Sequence, residues 1–425
     1  MWWFEGDVVR VLAPSEERFV RHGTYTGRSV RVEGSLDTAA LSAAFAALQR
    51  AYPVLTCRIG EDAAGRGYLL RPSGESVGAW VHAGDAEEVR IPVEPIDPAV
   101  QLAYLDVVAA DAGPARVTLF AHHGIADAGH CVELFSRLWD YYTEYLETGS
   151  ITVVPQAYPQ PLEWHAAQRR ITRGADSGLE QVTHPLPPEA RILPPDPETP
   201  APPSLARARR TVLHAESTAR IVALGRQPGV TVNGLITAAL LRAYVAETAD
   251  VSGDPVPVGC LYPVDLRTRL DPPVPAAEGT NMAGLACFAA TVDPMAGFGG
   301  LAHQVSARLH DDLAAGLVQQ SVLHFPDYFG PTRIHSVAGH IALTNTGRVP
   351  AFRTPAGLTL TDYEIVYLSA HPRPSTGASA AVTFLVYTFE GRLTVGVLGG
   401  GPAADRLPEA VAKQLDALAT EPLGL

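Results

Sequence analysis

The sequence lacks long hydrophobic runs and has few cysteines, and each absence excludes a class of protein. No window approaches about twenty uninterrupted apolar residues, so a membrane-spanning helix is not predicted. The first residues include Glu5 and Asp7 and lack the basic start and apolar core of a signal peptide, so we expect a cytoplasmic protein. No CxxC pair is present, which argues against a disulfide framework and a cysteine zinc site; the cysteines are Cys57, Cys131, Cys260 and Cys287.

The sequence also lacks an excess of basic residues. Its net charge is −13 and its isoelectric point is about 5.5, which argues against general binding to nucleic acid. Arginines cluster in "QRRITR", residues 168–173, and in "ARARR", residues 206–210. Short clusters of this kind ordinarily belong to the solvated surface, and the functional alternative is the docking of an acidic partner.

The length of 425 residues exceeds what one compact hydrophobic core accommodates, so two domains or subdomains are expected. The clearest change in composition is "HPLPPEARILPPDPETPAPPSL", residues 184–205, where prolines remove backbone donors and fix φ. We predict that this segment is an extended linker. It would separate an N-terminal subdomain, residues 1–183, from a C-terminal subdomain, residues 206–425.

Both predicted halves contain helix and strand patterns. In the first half, Asp37 is a suitable N-cap for a helix that ends before Pro53. In the second half, "TVNGLITAALLRAYVAETA" predicts a helix, and the apolar runs on either side of Glu390-Gly391 predict an antiparallel hairpin. The expected fold class is therefore α/β or α+β, in two halves.

Titratable side chains are concentrated where a predicted strand meets a predicted helix. The run "RVTLF" predicts a buried strand, and "FAHHGIADAGH", residues 120–130, follows with three histidines and an aspartate. The next segment, "GHCVELFSRLWDYYTEYL", predicts an amphipathic helix that has on one side Val132, Phe135, Leu138 and Tyr142. Side chains can converge at such a junction because its backbone groups are not committed to a strand or helix.

Three interpretations of the histidine stretch are open. A metal site would use His122 or His123 with Asp127 and His130, but no HExxH pattern is present and the glycines of the stretch interrupt a helix. A structural interpretation has the histidines satisfied within a loop. In the third interpretation one histidine is a general base, because a neutral imidazole with a pKa near 6.5 can accept a proton at neutral pH.

A covalent nucleophile has little support in the sequence. No GxSxG segment is present, and no cysteine lies in a context typical of a cysteine protease. Without a covalent serine or cysteine, a base at this site would activate a hydroxyl or an amine directly. The acyl group under attack would then arrive already activated, as a thioester.

Two segments resemble the condensation-domain and chloramphenicol-acetyltransferase-like superfamily. "HHGIADA", residues 122–128, resembles the HHxxxDG motif, and "YPVDLRTRLDPPVPAAEGTN", residues 262–281, resembles the second marker of the superfamily. Two further segments, "VVRVLAPSEERF" near the N-terminus and "LTNTGRVPAFRTPAGL" at 343–358, are similar to polyketide-associated acyltransferases of the phthiocerol/phthiodiolone dimycocerosyl transferase type. The resemblance covers essentially the whole chain.

The resemblance implies a role for several residues. His123 matches the general base of the family, and Asp127 matches the aspartate that holds the loop through an ion pair with an arginine. That arginine is Arg267 by this match, with Arg269 as the alternative, and a planar guanidinium suits bidentate contact with a carboxylate. His122 is expected to be structural, and His130 matches no position of the motif.

The sequence departs from the motif at Ala128, where the family has glycine. Because glycine adopts backbone conformations that alanine accepts less readily, the added methyl group could shift the loop or narrow the site. The fold that the resemblance implies is two chloramphenicol-acetyltransferase-like subdomains in a V with a central channel. We expect the channel to be lined by Gly124, Ala128, Asn281 and Asn345, and the oxyanion donor to be a backbone N–H group or Asn345.

The implied reaction is transfer of an acyl group from a thioester, on an acyl carrier protein or coenzyme A, to the hydroxyl of a small-molecule alcohol. It would belong to polyketide or lipid secondary metabolism and would need no bound cofactor and no metal. Two alternatives are kept. One is formation of an amide on the same fold, and the other is a non-catalytic module that docks a carrier protein.

Overall fold

Two six-stranded sheets and one three-stranded sheet organise the chain. The computed structural model describes residues 3, 5–110, 113–183, 198–248, 255–328, 340–374 and 381–423. The strands are β1 (Val8–Val11), β2 (Thr24–Glu33), β3 (Arg58–Glu61), β4 (Gly67–Leu70), β5 (Trp80–Ala83), β6 (Ala103–Ala109), β7 (Ala115–His122), β8 (Ser204–Arg207), β9 (Arg209–Val212), β10 (Val256–Asp265), β11 (Ala283–Val292), β12 (His340–Arg348), β13 (Thr359–Ser369), β14 (Val382–Phe389) and β15 (Arg392–Gly399). The first six-stranded sheet has the order β5-β6-β7-β2-β13-β8, the second has the order β11-β10-β12-β14-β15-β9, and the three-stranded sheet has the order β1-β4-β3.

The helices pack on these sheets and form two separate hydrophobic cores. In the first core α2 (Thr38–Ala51) and α3 (Ala128–Thr148) lie together, and in the second core α6 (Val232–Thr248) packs against α7 (Phe298–Ala314) and α10 (Leu407–Thr420). Helix α6 is buried along most of its length, as its nearly uniform apolar sequence requires. The helices are α1 (Pro14–Glu17), α2 (Thr38–Ala51), α3 (Ala128–Thr148), α4 (Leu162–Gln168), α5 (Ala215–Leu224), α6 (Val232–Thr248), α7 (Phe298–Ala314), α8 (Leu317–Gln320), α9 (Phe325–Tyr328) and α10 (Leu407–Thr420).

The local predictions agree with the structure. The side chain of Asp37 accepts a hydrogen bond from the backbone N–H of Ala40 (2.9 Å) and caps α2, which ends before Pro53. Strands β14 and β15 pair antiparallel, and their turn residues Glu390 and Gly391 have φ values of 49° and 74°. The apolar side of α3 is buried at all four predicted positions: Val132, Phe135, Leu138 and Tyr142.

The two sheets do not coincide with the predicted halves of the chain. Strand β13, from the C-terminal half, pairs antiparallel with β2 and with β8, so it completes the first sheet. Residues 184–197 of the predicted linker lie outside the described residues, and residues 198–203 are exposed, without helix or strand. The alternation of β13 predicts a strand, but local sequence does not specify which sheet will accept it.

The arginines at 206–210 form ion pairs that hold this crossing strand. Arg207 Nε lies 2.6 Å from Oε1 of Glu364, which is fully buried on β13. Arg210 Nη1 lies 2.8 Å from Oδ1 of Asp362, whose other carboxylate oxygen is 2.7 Å from Nη2 of Arg116 on β7. The third arginine of the cluster, Arg209, forms an ion pair with Asp405, so all three cations have carboxylate partners within the chain.

No helix within the described ranges is both long enough and apolar enough to cross a membrane. The four cysteines are buried and free of disulfide bonds.

Candidate active site

The histidine stretch lies at the junction of β7 and α3. Strand β7 ends at His122, and α3 begins at Ala128, so residues 123–127 form the connecting loop. Asp127 is the N-cap of α3, because its Oδ1 accepts a hydrogen bond from the backbone N–H of His130 (3.0 Å). The loop is therefore fixed at both ends by regular structure.

His123 is held with one ring nitrogen occupied. Its Nδ1 lies 3.0 Å from the carbonyl oxygen of Ala126, which can only accept, so Nδ1 carries the proton and Nε2 carries the lone pair. The imidazole stacks on Phe19, with ring centroids 4.1 Å apart, and lies 5.9 Å from the ring centroid of Tyr367. As a whole residue, His123 is partly exposed.

The pKa of His123 keeps the ring neutral. Burial lowers this pKa to about 4, and the charges of Arg18 and Arg28 act in the same direction, against the hydrogen bond to Ala126 and the charge of Asp127. At neutral pH the imidazole is therefore unprotonated, which is the form that can accept a proton from a hydroxyl group.

Asp127 forms an ion pair across 140 residues of sequence with Arg267. The Nη1 of Arg267 donates to Oδ2 of Asp127 at 2.5 Å, and the backbone N–H of Met282 donates to the same oxygen at 2.8 Å. Both residues are buried: Asp127 is 6% exposed and Arg267 is 5% exposed. Burial alone would raise the pKa of Asp127, but the charge of Arg267 and these hydrogen bonds hold that pKa below its ordinary value.

Arg267 also forms hydrogen bonds with other residues of the second marker segment, to which it belongs. Its Nη2 donates to the carbonyl oxygens of Gly279 (3.3 Å) and Thr280 (3.1 Å), and Nη1 reaches Oδ1 of Asp265 at 3.3 Å. Arg269, the alternative partner, is exposed. The structure therefore brings Asp127 together with Arg267, the first of the two candidate arginines.

Asn281 connects the second segment to the loop of His123. Its Nδ2 donates to the backbone carbonyl oxygen of His123 at 3.1 Å, and its Oδ1 accepts from the backbone N–H of Ala283 at 3.3 Å. Asn281 was predicted to line a channel, but it is only 1% exposed. Its hydrogen bonds hold the loop of His123 in place, and the side chain does not lie on an open surface.

A second buried connection lies beside this one. Thr280 Oγ1 donates to Oε1 of Glu16 at 2.7 Å, and Glu16 is fully buried. Both oxygens of Glu16 also accept hydrogen bonds of 2.6 Å from the guanidinium of Arg10. Polar contacts at Asp127, at Glu16 and at the carbonyl of His123 thus join the first-sheet side of the site to the second marker segment.

The remaining predicted residues take different positions. Gly124 is buried where a Cβ would lie 3.1 Å from the carbonyl oxygen of Glu16. Ala128 is the first residue of α3, where the backbone is helical, so alanine meets no conformational penalty there. Asn345 donates to Oδ1 of Asn233 (3.1 Å), and its Oδ1 accepts a hydrogen bond from the backbone N–H of Gly347 (2.9 Å).

The other two histidines are enclosed. His122 is fully buried, and its Nδ1 accepts a hydrogen bond from the backbone N–H of Gly124 (3.2 Å). His130 is 1% exposed, and neither of its ring nitrogens has a hydrogen-bond partner in the described part of the chain. The described residues contain no group of three or more His, Cys, Asp or Glu side chains that could hold a metal ion.

Sequence reasoning missed the residues that surround the imidazole from outside the loop. Phe19 supplies its stacking ring, and Arg18 lies beside that ring with its Cζ 4.6 Å from the centroid. The only signal was the resemblance of the N-terminal segment, which indicated a family without indicating a role. Neither residue can be placed beside His123 from its spacing, because more than a hundred positions separate them.

Because His130 is buried, we expect the free energy of unfolding to fall in mild acid. Burial and the charge of Arg267 lower the pKa of His130 to about 4, whereas in the unfolded chain it is about 6.5. Between these values the unfolded state binds a proton that the folded state does not, so stability present above pH 6.5 is lost as the pH falls. From pH 7 to pH 5, His130 should contribute about 1–2 kcal/mol of this loss.

Urea unfolding at pH 7 and pH 5 checks this expectation, with His130→Phe as the comparison. The variant removes one titrating group and leaves all others, so its loss between the two pH values should be smaller by about 1–2 kcal/mol. An equal loss in both proteins would show that the His130 ring titrates alike in the folded and unfolded states.

Comparisons with known proteins relate this chain to one group of enzymes. The family described as phthiocerol/phthiodiolone dimycocerosyl transferase C-terminus matches residues 202–398. The phthiocerol/phthiodiolone dimycocerosyl transferase of Mycobacterium sp. (strain JLS) is 34% identical over 407 residues, which cover 93% of this chain and 92% of the relative.

Solved structures agree with this similarity. Polyketide synthase associated protein 5 from Mycobacterium tuberculosis has a TM-score of 0.80 and 28% identity, over 99% of this chain and 100% of that chain. The first condensation domain of the calcium-dependent antibiotic synthetase has a TM-score of 0.64 and 17% identity, over 98% of each chain, which shows likeness of fold alone.

Proposed function

Because this chain belongs to the phthiocerol/phthiodiolone dimycocerosyl transferase family, and is therefore an acyltransferase of the chloramphenicol-acetyltransferase-like fold in two subdomains, we propose that it forms an ester from a thioester and an alcohol. The observation that carries this proposal is the imidazole of His123. Its Nδ1 proton is committed to Ala126, and its Nε2 belongs to a partly exposed residue at the junction of β7 and α3. A neutral imidazole in this state is equipped to take a proton from a hydroxyl group.

The proposed reaction balances without any further reactant. Nε2 of His123 accepts the hydroxyl proton while the alcohol oxygen bonds to the thioester carbon, and the carbonyl electron pair moves to oxygen. When this tetrahedral intermediate collapses, the carbon–sulfur bond breaks, and the thiolate takes the proton back from the imidazolium. The products are an ester and a free thiol, and His123 returns to its neutral form. General base catalysis of this kind contributes about 10²–10⁴-fold to a rate.

Asp127 and Arg267 act in this scheme as positioning residues. Within the described ranges, the Asp127 carboxylate accepts hydrogen bonds from Arg267 and from the backbone N–H groups of His130 and Met282. Both carboxylate oxygens are thus engaged by groups other than the imidazole of His123. The contribution of Asp127 is to hold the loop that carries His123 at the start of α3, and preorganisation of this kind supplies much of the remaining acceleration.

The acyl donor and acceptor are proposed by chemical class. The donor is a thioester on coenzyme A or on the phosphopantetheine of an acyl carrier protein, and the acceptor is a lipid or polyketide alcohol. The name of the Mycobacterium relative, a dimycocerosyl transferase acting on phthiocerol or phthiodiolone, supports a long acyl group and a hydroxyl acceptor. No cofactor or metal takes part in the scheme.

Product analysis with matched substrates tests the proposal. The purified full chain is incubated with one long acyl group, presented either as the coenzyme A thioester or on a carrier protein. Each donor is offered a long-chain alcohol or the amine of the same chain, and mass spectrometry identifies the product. We expect release of free thiol and formation of ester. Amide formed in place of ester would favour the condensation alternative, and no transfer with any pair would favour a docking module.

A further inference from the structure

The ring of Tyr367 is a direct neighbour of the imidazole of His123. The two ring centroids are 5.9 Å apart, and the ring planes are inclined by 39°. Tyr367 belongs to β13 and stands opposite Thr26 of β2, which stands opposite Ala121 of β7. Directly paired residues share one face of a sheet, so Tyr367 lies on the face of Ala121, two residues before His123. In the described part of the chain, the other aromatic neighbour of the imidazole is Phe19.

The hydroxyl group of Tyr367 is not used within the described protein. The residue is partly exposed, and its hydroxyl makes no hydrogen bond with any described residue. Two buried polar atoms in electrostatic contact with it also lack hydrogen-bond partners in the described ranges, and these are Nε of Arg28 and the hydroxyl oxygen of Tyr363. Because buried polar atoms are ordinarily hydrogen-bonded, this cluster favours the approach of a further polar group.

Arg28 supplies a buried positive charge to the same place. Its charge acts on both Tyr367 and His123. The guanidinium donates to one hydroxyl oxygen and to backbone carbonyls, and no described carboxylate forms an ion pair with it. Asp127, the carboxylate whose charge reaches Arg28, is already paired with Arg267. A negative charge that develops beside Tyr367 is therefore favoured, since the site is largely desolvated.

Tyr367 is a hydrogen-bond donor at neutral pH. Burial raises the pKa of its hydroxyl above the ordinary value near 10, and the charge of Arg28 opposes this increase only in part. The proton therefore stays on the oxygen and can be donated in a hydrogen bond. Ester formation from a thioester places a negative charge on the former carbonyl oxygen, and a fixed donor in a desolvated site stabilises that charge strongly.

We propose that Tyr367 is a catalytic residue whose hydroxyl donates a hydrogen bond to the oxyanion formed when the alcohol adds to the thioester carbonyl. The proposal deepens the ester-forming function and rests on it. The carbonyl electron pair moves to oxygen while His123 accepts the proton of the alcohol, and Tyr367 keeps its own proton throughout. When the pair returns, the carbon–sulfur bond breaks and the thiolate takes the proton from His123. Arg28 is only 1% exposed, so it adds to the field as a buried charge and does not touch substrate.

Tyr367→Phe tests the proposal by removing a single oxygen atom from the full chain. Because that hydroxyl makes no hydrogen bond with a described residue, its removal should leave the fold intact, and circular dichroism checks this. Tyr145→Phe is the matched control, since it removes a hydroxyl from the exposed side of α3. Each protein is assayed for kcat and KM with one acyl thioester and with two alcohols of different chain length.

We expect Tyr367→Phe to lower kcat by about 10²–10³-fold, as the removal of one oxyanion donor does. The loss should be the same with both alcohols, because both reactions form the oxyanion from the same carbonyl group. The KM values of donor and acceptor should change by less than about threefold. Tyr145→Phe should match wild type in every measurement.

Four results would contradict the proposal. If folded Tyr367→Phe keeps kcat within about threefold of Tyr145→Phe, the hydroxyl has no role in the chemical step. If only KM rises, the hydroxyl binds the ground state and the transition state alike. If the losses with the two alcohols differ by more than about threefold, Tyr367 orients the acceptor and does not stabilise the oxyanion. If Tyr367→Phe does not fold, the hydroxyl has a structural role within the protein. A wild-type chain that makes no ester contradicts the proposed function instead.

Discussion

Replacing His123 with alanine should lower kcat for ester formation by about 10²–10⁴-fold, because the variant has no group to take the hydroxyl proton. The hydrogen bond from Nδ1 to Ala126 and the stacking on Phe19 orient the ring, but the residue is partly exposed, so removal of the ring should leave most of the fold intact. The rate of thiol release from an acyl thioester in the presence of the alcohol measures this loss, and circular dichroism reports the fold.

The same substitution at His82 is the control. His82 belongs to β5 of the same sheet and pairs with Glu94 at 2.9 Å, so its removal deletes an imidazole without touching the loop. His82→Ala should transfer acyl groups at the wild-type rate. A His123→Ala protein that does the same, and that is folded, would end the assignment of His123 as the base.

The sequence permits prediction of those parts of the fold that depend on neighbours in the chain. Asp37 caps α2, and the Glu390-Gly391 turn joins β14 to β15, because a cap and a tight turn are set by a few consecutive residues. The position of β13 in the first sheet was not predictable in this way. Strand β13 pairs with β2 and β8, and this choice depends on which long-range pairing buries the strand. The periodicity of β13 alone is compatible with either sheet.

In the candidate site, too, the features set by neighbouring residues could be predicted from the sequence, and the long-range contacts could not. The concentration of histidines at a strand–helix junction can be read directly, and so can the chemical reason for a neutral imidazole there. The partnership of Asp127 with Arg267 was predicted from family resemblance, since elementary physical chemistry favours Arg267 no more than Arg269. Asn281 was expected to line the channel, and spacing does not reveal that its amide donates to the backbone carbonyl of His123.

Replacing Arg267 with alanine should lower the free energy of unfolding by about 3–5 kcal/mol, because the Asp127 carboxylate would remain buried with its charge unpaired. Arg269→Ala, at the exposed alternative position, should change that free energy by less than about 0.5 kcal/mol. Urea unfolding at pH 7 compares the two variants. Equal effects would show that the ion pair contributes nothing specific to the stability of the site.

A double-mutant cycle with Asp127→Asn separates the ion pair from the other contacts of Arg267. Asparagine keeps an oxygen that can accept the N–H of His130 at the start of α3, but it carries no charge that needs a partner. In the Arg267→Ala background, Asp127→Asn should therefore cost less than it does in wild type, and the double variant should be more stable than the sum of the single losses predicts. Additive losses would mean that Arg267 stabilises the site through Asp265 and the carbonyls of Gly279 and Thr280. The loop of His123 would then depend on Asn281 and Glu16 for its position.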